Sequence, residues 1–356
     1  MQFFERIVFV INFLLFNMTY EVTIGIPVYN VEHYIRQTMD SALSQTFSSI
    51  EYLICDDCAN DSSISVIMDY KQRHPRGKDI RIVRQSMNMG VSAARNRIID
   101  EARGDFLYFL DSDDLLEADT IEKLVLAQKQ NDAEIVFGSY DRIEVYNNNC
   151  VQVGMQYPFL KLLGEDKLAM YAYSKYGAIQ ASACNYLVKT ELLRDVQLRF
   201  IDINFWEDMA FTYELVTYCC RAVLLPDITY HYMCHLNSLS NYQERTIIPK
   251  EEILRNLEAV NYLRNRCDRL RSKSYYPQRC YIIMKTYFFV LRNILQNRDK
   301  IYPLFTNHEL KSIMRHPARF QEIIRFRKLR GKNLLFYLLR VLPSFISIRL
   351  IVLLTK

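Results

Sequence analysis

The sequence predicts an α/β protein: a mostly parallel central sheet flanked by helices, followed by a helical C-terminal region. Three observations predict it. Between Glu21 and Tyr140 short apolar runs alternate with segments of helical period, an order that builds a parallel sheet with helices on both faces. The residues after those runs are polar or acidic: Tyr29 and Asn30, Asp56 and Asp57, Asn88, then Asp111, Asp113 and Asp114. Ligands of such sheets sit beyond the carboxyl ends of the strands. After about Pro249 the pattern is helical throughout.

In chain order, Val22–Pro27 is a continuous apolar run, as expected of a strand buried on both faces. Val31–Gln45 repeats apolar residues at Tyr34, Ile35, Met39, Ala42 and Leu43, a helical spacing. Strand and helix then alternate through Ile50–Cys55, Ser62–Arg73, Ile80–Val83, Val91–Ala102, Phe106–Leu110, Ala118–Gln130 and Glu134–Phe137. From about Asn147 longer helical segments are expected, with Ala222–Tyr230 a returning strand. Ile253–Leu270 and Tyr281–Leu295 are the clearest later helices.

Composition narrows the classes. In 356 residues, 50% are apolar and 24% charged, with only 9 Gly and 9 Pro, which excludes a low-complexity or linker-rich chain. Nine scattered cysteines do not make a disulfide framework and favour a reducing compartment. Cys55 and Cys58 form a C-x-x-C without the second pair a zinc site needs, so no metal is expected there. Residues 1–17 are an apolar extension, too short to span a bilayer, upstream of a natural start expected at Met18. A main domain is expected over 18–245 and a helical, basic region over 246–356.

That last region is where the net charge of +5 collects. Eleven Lys or Arg lie between Lys311 and Lys356, with Glu322 the only acid in that span and Glu309 just before it. Leu334–Leu354 is apolar but interrupted by Arg340, Pro343 and Arg349. Two readings are open: helices lying on an anionic membrane surface, or a helical subdomain packed on the core.

The strongest chemical signal is Phe106-Leu-Tyr-Phe-Leu-Asp111-Ser112-Asp113-Asp114, an apolar strand ending in an Asp-x-Asp. Carboxylates so spaced can share Mg²⁺ or Mn²⁺ with a diphosphate, because hard oxygen ligands suit those ions. They can equally cap the next helix. Ile24-Gly-Ile-Pro27-Val-Tyr29-Asn30 precedes one helix, and Tyr52-Leu-Ile-Cys-Asp56-Asp57 ends the second strand. A carboxylate there can accept from a base N–H while Tyr29 stacks on its face. Asn88-Met-Gly90-Val-Ser-Ala-Ala-Arg95-Asn96 sets an arginine on a helix's first turns, where it can face phosphates or hold the acidic loop.

In this order and spacing these segments resemble the large family 2 of inverting glycosyltransferases with the GT-A fold. Members show I-P-x-Y-N, D-D-G-S-x-D, G-x-S-x-A-R-N and F-L-D-x-D-D motifs. Phe205-Trp206-Glu207-Asp208-Met-Ala-Phe211 is similar to the family's E-D motif. The likeness runs from about Val22 to Ser240. It implies a nucleotide-diphosphate sugar donor, most often a UDP-sugar, with Mn²⁺ or Mg²⁺. The implied acceptor is a hydroxyl of a glycan or lipid-linked molecule in surface-polysaccharide synthesis, on the inner face of the cell membrane. No nucleic-acid partner is expected.

The resemblance also implies roles. Pro27, Tyr29, Asn30 and Asp57 would line the nucleotide pocket. Arg95 would serve the phosphates, Asp111 the ribose or metal, and Asp113 the metal directly. Asp208 would be the general base, and Glu207 would support it or the acceptor. The sequence departs from the pattern twice. Cys58 stands where the acidic pair is usually followed by Gly, in a loop that often needs an unusual backbone conformation. Met233 or His235 stands where arginine is frequent, and His235 is a candidate phosphate contact or metal ligand, or a structural histidine.

Rival classes lack their signatures. A nucleotidyltransferase would need a Gly-rich basic loop after the first strand, and a dinucleotide-binding oxidoreductase a G-x-G-x-x-G. A catalytically inactive fold acting as a binding subunit is disfavoured by the presence of Asp111, Asp113 and Asp208.

Overall fold

A computed structural model describes residues 20–145, 150–203, 205–235 and 246–354. The expected N-terminal extension over 1–17 and the end of the motif segment at Ser238 and Ser240 lie outside the described residues. The chain divides into two compact units. The first is built from residues up to Lys161, Cys184–Arg199 and Val223–Cys234; the second takes Leu162–Ala183, Phe200–Ala222 and His235–Lys356. The units interleave in sequence.

The first unit is a mixed sheet. Its elements run β1 (Tyr20–Val28), α1 (Ile35–Leu43), β2 (Ile50–Asp56), α2 (Ser63–Arg73), β3 (Ile80–Arg84) and α3 (Val91–Glu101). Then come β4 (Gly104–Phe109), β5 (Leu115–Leu116), α4 (Thr120–Asn131), β6 (Ile135–Glu144), β7 (Cys150–Met155) and β8 (Leu160–Leu163). Later pieces add β9 (Tyr186–Lys189), α6 (Thr190–Asp195) and most of β10 (Arg221–Cys234), after α5 (Lys167–Ala172) of the second unit. The strand order is β3-β2-β1-β4-β9-β6-β10-β5, with β7 on β6.

Strands β3, β2, β1 and β4 are parallel, with Ile24 opposite both Tyr52 and Tyr108. All of β2 and the last seven residues of β1 are buried, as their unbroken apolar runs require. Past β4 the sheet changes character. β9 runs antiparallel to both β4 and β6, and β10 is antiparallel to β5. The expected parallel order therefore holds for four strands, and it gives way to antiparallel pairing at β9. Four-residue β9 follows a polar stretch, Ser182-Ala-Cys-Asn185, and carries no periodic pattern long enough to announce itself. Buried Asn185 stitches this half together: its amide donates to the Gly138 and Ser139 carbonyls, and its oxygen accepts from Thr229 at 2.6 Å.

Helix α3 lies tight against β1 because residue 25 is glycine. A Cβ there would sit 2.3 Å from Ile98 Cγ2. That close approach fixes the helix that carries Arg95.

The second unit is helical: α5, α7 (Glu207–Leu215), α8 (Lys250–Asn265), α9 (Tyr276–Gln296), α10 (Asn307–Ile313), α11 (Phe320–Ile323), α12 (Arg330–Val341) and α13 (Ser344–Leu354). Its centre holds a charge pair. Glu214 of α7 and Arg279 of α9 are both fully buried and meet at 2.7 Å. Arg279 also donates to the Tyr173 hydroxyl and the Leu263 carbonyl. Leu334–Leu354 is broken at Pro343 into α12 and α13, and no helix of the described residues is long and apolar enough to cross a membrane.

Candidate active site

Because β2, β1 and β4 are adjacent and parallel, their carboxyl ends open on one edge of the first unit. Tyr29 and Asn30 follow β1, Asp57 follows β2, and Asp111 and Asp113 follow β4. The topology thus gathers these residues on the edge where α/β sheets bind ligands. Pro27 lies buried within β1 itself, opposite Cys55. Tyr29 is 43% exposed, so its ring is available for stacking.

Asp57 is buried yet heavily bonded. Its Oδ1 accepts from Gln85 Nε2 and the Met89 N–H, and its Oδ2 from the Gly90 N–H, each at 2.8 Å. The side chain therefore ties residues 85–90 to the end of β2. Three of about four acceptor positions of a carboxylate are used, and one remains for a ligand. Gly90 has φ +85 and caps α3, a left-handed position that glycine adopts without steric cost. Asn30, at φ +51, accepts from the Asn60 N–H at 2.9 Å and joins the loops after β1 and β2.

Cys58 has φ +60, a left-handed conformation that glycine adopts without steric cost. The chain adopts the loop with a side chain in place, and the thiol donates to the Gln85 carbonyl at 3.2 Å. Cys55, at the core of β2, is a buried thiol whose pKa is pushed up to about 12 by loss of hydration.

The acidic cluster after β4 is unbalanced. Arg95, buried on α3, donates to Asp111 Oδ1 at 2.8 Å. Burial and the neighbouring charge of Asp111 raise the Asp113 pKa to about 6. Asp114 is fully buried, accepting from the Tyr230 hydroxyl and, at 2.7 Å, from the Met233 N–H of β10. Burial first, then Asp113 and Asp111, push its carboxyl well above the usual range. Among the described residues, then, Asp111 alone of the three carboxyl groups is paired with a cation.

Asp114 was in view in the sequence as the third acid of Asp111-Ser-Asp113-Asp114, but no role was assigned to it. The signal was the run of three acids at a strand end, too many for one helix cap. Its part is to anchor the loop on β10, with Thr38 Oγ1 donating to the Ser112 carbonyl from the other side at 3.0 Å. Held from both flanks, the loop keeps Asp111 and Asp113 at the edge.

Hard oxygen donors in this number fit a divalent cation, and a cation is what would relieve the raised Asp113. Among the described residues no three His, Cys, Asp or Glu side chains form a ready metal site. Asp111 and Asp113 would then need substrate phosphates and water to complete the sphere, the usual habit of Mg²⁺. His235 comes immediately after β10 and is assigned to the second unit.

Glu207 and Asp208 form the first turn of α7 in the second unit. Glu207 is buried, and Asp208 Oδ1 accepts from the Met209 N–H at 2.6 Å. Trp206, just before them, has φ +68. A bulky aromatic in that region is strained, and such strain collects at functional positions. It is held by packing against Ile203, Ala210 and Ala259, and by stacking on Phe205 with ring centroids 5.5 Å apart. Nothing in the residue order foretold this backbone.

Comparison with known proteins bears on this arrangement. The sequence profile of Glycosyl transferase family 2 matches residues 23–186, a stretch holding all the strand-end residues above. An uncharacterized glycosyltransferase of Haemophilus influenzae is 30% identical over 203 residues, covering 57% of this chain and 74% of that one. The chain belongs to glycosyltransferase family 2. The uncharacterized glycosyltransferase EpsJ of Bacillus subtilis is 31% identical over 230 residues, 62% of this chain and 62% of EpsJ. The chain thus spans just under two thirds of that relative's length. Among solved structures, S. aureus TarS 1-349 in complex with UDP-GlcNAc superposes with a TM-score of 0.66 at 16% identity. It covers 93% of this chain and 90% of that one, and the likeness is one of fold. The family 2 chain therefore has the expected GT-A architecture, including a helical C-terminal region.

Proposed function

We propose that this protein transfers a sugar from a nucleotide-diphosphate sugar, a UDP-sugar in our reading, to a hydroxyl of a glycan or lipid-linked acceptor, inverting the anomeric centre. The observation that carries this reading is the unbalanced carboxylate cluster Asp111, Asp113 and Asp114 at the edge where family 2 motifs converge. Raised carboxyl groups beside a single paired arginine support uptake of a cation with its anionic ligand. The UDP-GlcNAc held by the structurally similar TarS supports a UDP-sugar as donor.

In this reading Tyr29 stacks on the base and the remaining acceptor position of Asp57 takes a base N–H. Asn30 holds the pocket's two loops together, and Pro27 stiffens the strand end that delivers them. Asp111 and Asp113 would hold Mn²⁺ or Mg²⁺, which when bound stabilises charge growing on the leaving diphosphate. Arg95 keeps Asp111 oriented. Asp208 takes the proton of the attacking hydroxyl, and Glu207 steadies it or the acceptor. His235 is a further candidate to contact the diphosphate or metal. One base, with attack opposite the leaving group, inverts the configuration. The setting proposed is the cytoplasmic side of the cell membrane, with the chain peripheral on its inner face.

The test is a panel of nucleotide sugars incubated with Mn²⁺, Mg²⁺ or EDTA, with release of nucleotide diphosphate measured. One donor should be turned over with either metal and not with EDTA, and Asp113→Asn should lose that dependence. Turnover of no donor, with UDP bound equally in EDTA, would favour a binding subunit that has lost catalysis.

A further inference from the structure

We infer that α11, α12 and α13 form a docking surface for anionic lipid bilayers, with the apolar stripe entering the headgroup boundary. This rests on the reading that the chain works at the membrane's inner face, and it names the surface that would bring it there.

The hairpin of α12 and α13 has one face satisfied. Phe336 packs against Tyr281 and Phe288 of α9 with ring centroids 6.0 and 5.9 Å away. Asn333, fully buried, accepts through Oδ1 from His316 Nε2 at 3.1 Å and donates to the Pro277 carbonyl. Ser347 donates to the Leu339 carbonyl across the turn at 2.6 Å. The fold of these helices is thereby fixed without help from their other face.

That other face is the reverse of a solvated one. On α12 the exposed residues Leu335, Leu338 and Val341 stand three apart, so they form one stripe. On α13 Phe345, Val352 and Leu353 do the same, spaced by seven and eight residues. Phe320 and Ile324 repeat it at the end of α11. A third of the large apolar side chains exposed on the described residues, 8 of 24, fall within these 34 positions. So dense a grouping marks an interaction surface.

Charge identifies the partner. Arg319, Arg325, Arg327, Lys328, Arg330, Lys332, Arg340 and Arg349 are all exposed in the same segment. Among the described residues none of them forms an ion pair, and the segment's one acid, Glu322, is taken by Arg271. Apolar stripes with flanking cations and no balancing carboxylates fit an anionic headgroup layer over hydrocarbon. A second copy of this chain would bring the same excess of positive charge to the contact, which disfavours it.

The experiment is co-sedimentation of the full chain with vesicles of pure phosphatidylcholine or of phosphatidylcholine with phosphatidylglycerol, between low and physiological salt. Binding should be confined to the anionic vesicles and weaken as salt rises. The Arg325→Gln/Arg327→Gln/Lys328→Gln variant should bind about a hundred-fold less, since each cation near an anionic surface contributes about five-fold. Leu335→Gln/Leu338→Gln should also lose binding while circular dichroism and melting are kept. Equal binding to both vesicle types, or none, overturns the proposal. So does a concentration-dependent dimer that the Leu variant makes monomeric. Turnover of nucleotide sugar in detergent-free solution is measured on the same variants: retained turnover with lost vesicle binding separates this surface from the active site, and the donor panel alone decides the transfer reading.

Discussion

Two buried charge clusters, one in each unit, use the same kinds of side chain to opposite ends. In the second unit Glu214 meets Arg279 at 2.7 Å, with Arg269 alongside, and the Tyr173 hydroxyl and the Leu263 carbonyl take up further guanidinium protons. The one carboxylate there is fully paired, with more than one guanidinium group against it. In the first unit, among the described residues, the one cation paired with Asp111, Asp113 or Asp114 is Arg95, on Asp111, and burial and like charge raise the other two. A paired buried carboxylate ties its helices together, because parting it from its partner leaves an uncompensated buried charge. An unbalanced cluster is held against its own repulsion by surrounding structure, here α3 and β10, and so is poised for a ligand.

The comparison is broken most severely at α7, which carries Glu214 at one end and Asp208 at the other. Asp208→Asn keeps size and the bond to the Met209 N–H but cannot accept a proton. Transfer should fall by about 10²–10⁴-fold, the usual worth of a general base, with donor affinity nearly unchanged. Near-normal transfer with a lowered melting temperature would make Asp208 a helix cap.

Breaking the paired cluster should cost stability instead. Arg279→Met leaves Glu214 buried without its main partner, an expected loss of about 3–5 kcal/mol. Glu214→Met/Arg279→Met removes both charges and should recover most of it, because apolar replacement of a whole buried pair is often neutral. Denaturant unfolding of both variants checks this. A double variant as unstable as the single one would mean that the pair's bonds to Tyr173 and Leu263 matter more than its charge.

The unbalanced cluster should show itself in pH. The folded pKa of Asp113, about 6, lies above its unfolded value near 4. Its contribution favours folding below pH 4 and is lost as pH rises through 6, because the folded state must then carry the repelled charge. Without metal, stability should drop over that window by of order 1–2 kcal/mol after solvent screening. Asp113→Asn should flatten the drop, and Mn²⁺ should reverse it above pH 6. A metal-free melting profile indifferent to Asp113→Asn would show that the carboxyl is solvated.

How much of this could be read from residues follows from what each feature depends on. Strands β1, β2 and β4 and their polar ends were legible from their mainly apolar runs, and half-exposed β3 from its place in the alternation. The Asp-x-Asp was legible for the same reason, being fixed by its strand. Antiparallel β9 was not, since four residues between a polar loop and a helix leave no period. Nor was the anchoring of Asp114 by Tyr230 and Met233, more than a hundred residues away. The left-handed Trp206 is set by tertiary packing against Ala210 and Ala259, which local propensity does not encode. The apolar stripe of α12 was visible as composition, but which of its leucines face outward depended on how Phe336 docks.

The smallest effect sharpens the comparison from within the first unit. Cys58 in the first unit and Trp206 in the second are both side chains in a conformation that favours glycine. Cys58 is the position where the family pattern has glycine, so Cys58→Gly asks what the departure costs. Left-handed backbone costs a non-glycine residue about 1–2 kcal/mol, and glycine would relieve it. Against this, glycine loses about 0.5–1 kcal/mol more entropy on folding, and the weak thiol bond to the Gln85 carbonyl disappears. The opposing contributions nearly cancel. Melting temperature should therefore move by no more than about 2 °C, since about 1 kcal/mol shifts a large domain by only a few degrees. UDP affinity should not change, because the carboxylate of Asp57 is held by Gln85, Met89 and Gly90 whatever stands at position 58. Calorimetric titration of UDP into wild type and variant decides it. A loss of affinity beyond tenfold would mean that the thiol itself meets the nucleotide, and a large drop in melting temperature would mean that the Gln85 bond secures the loop.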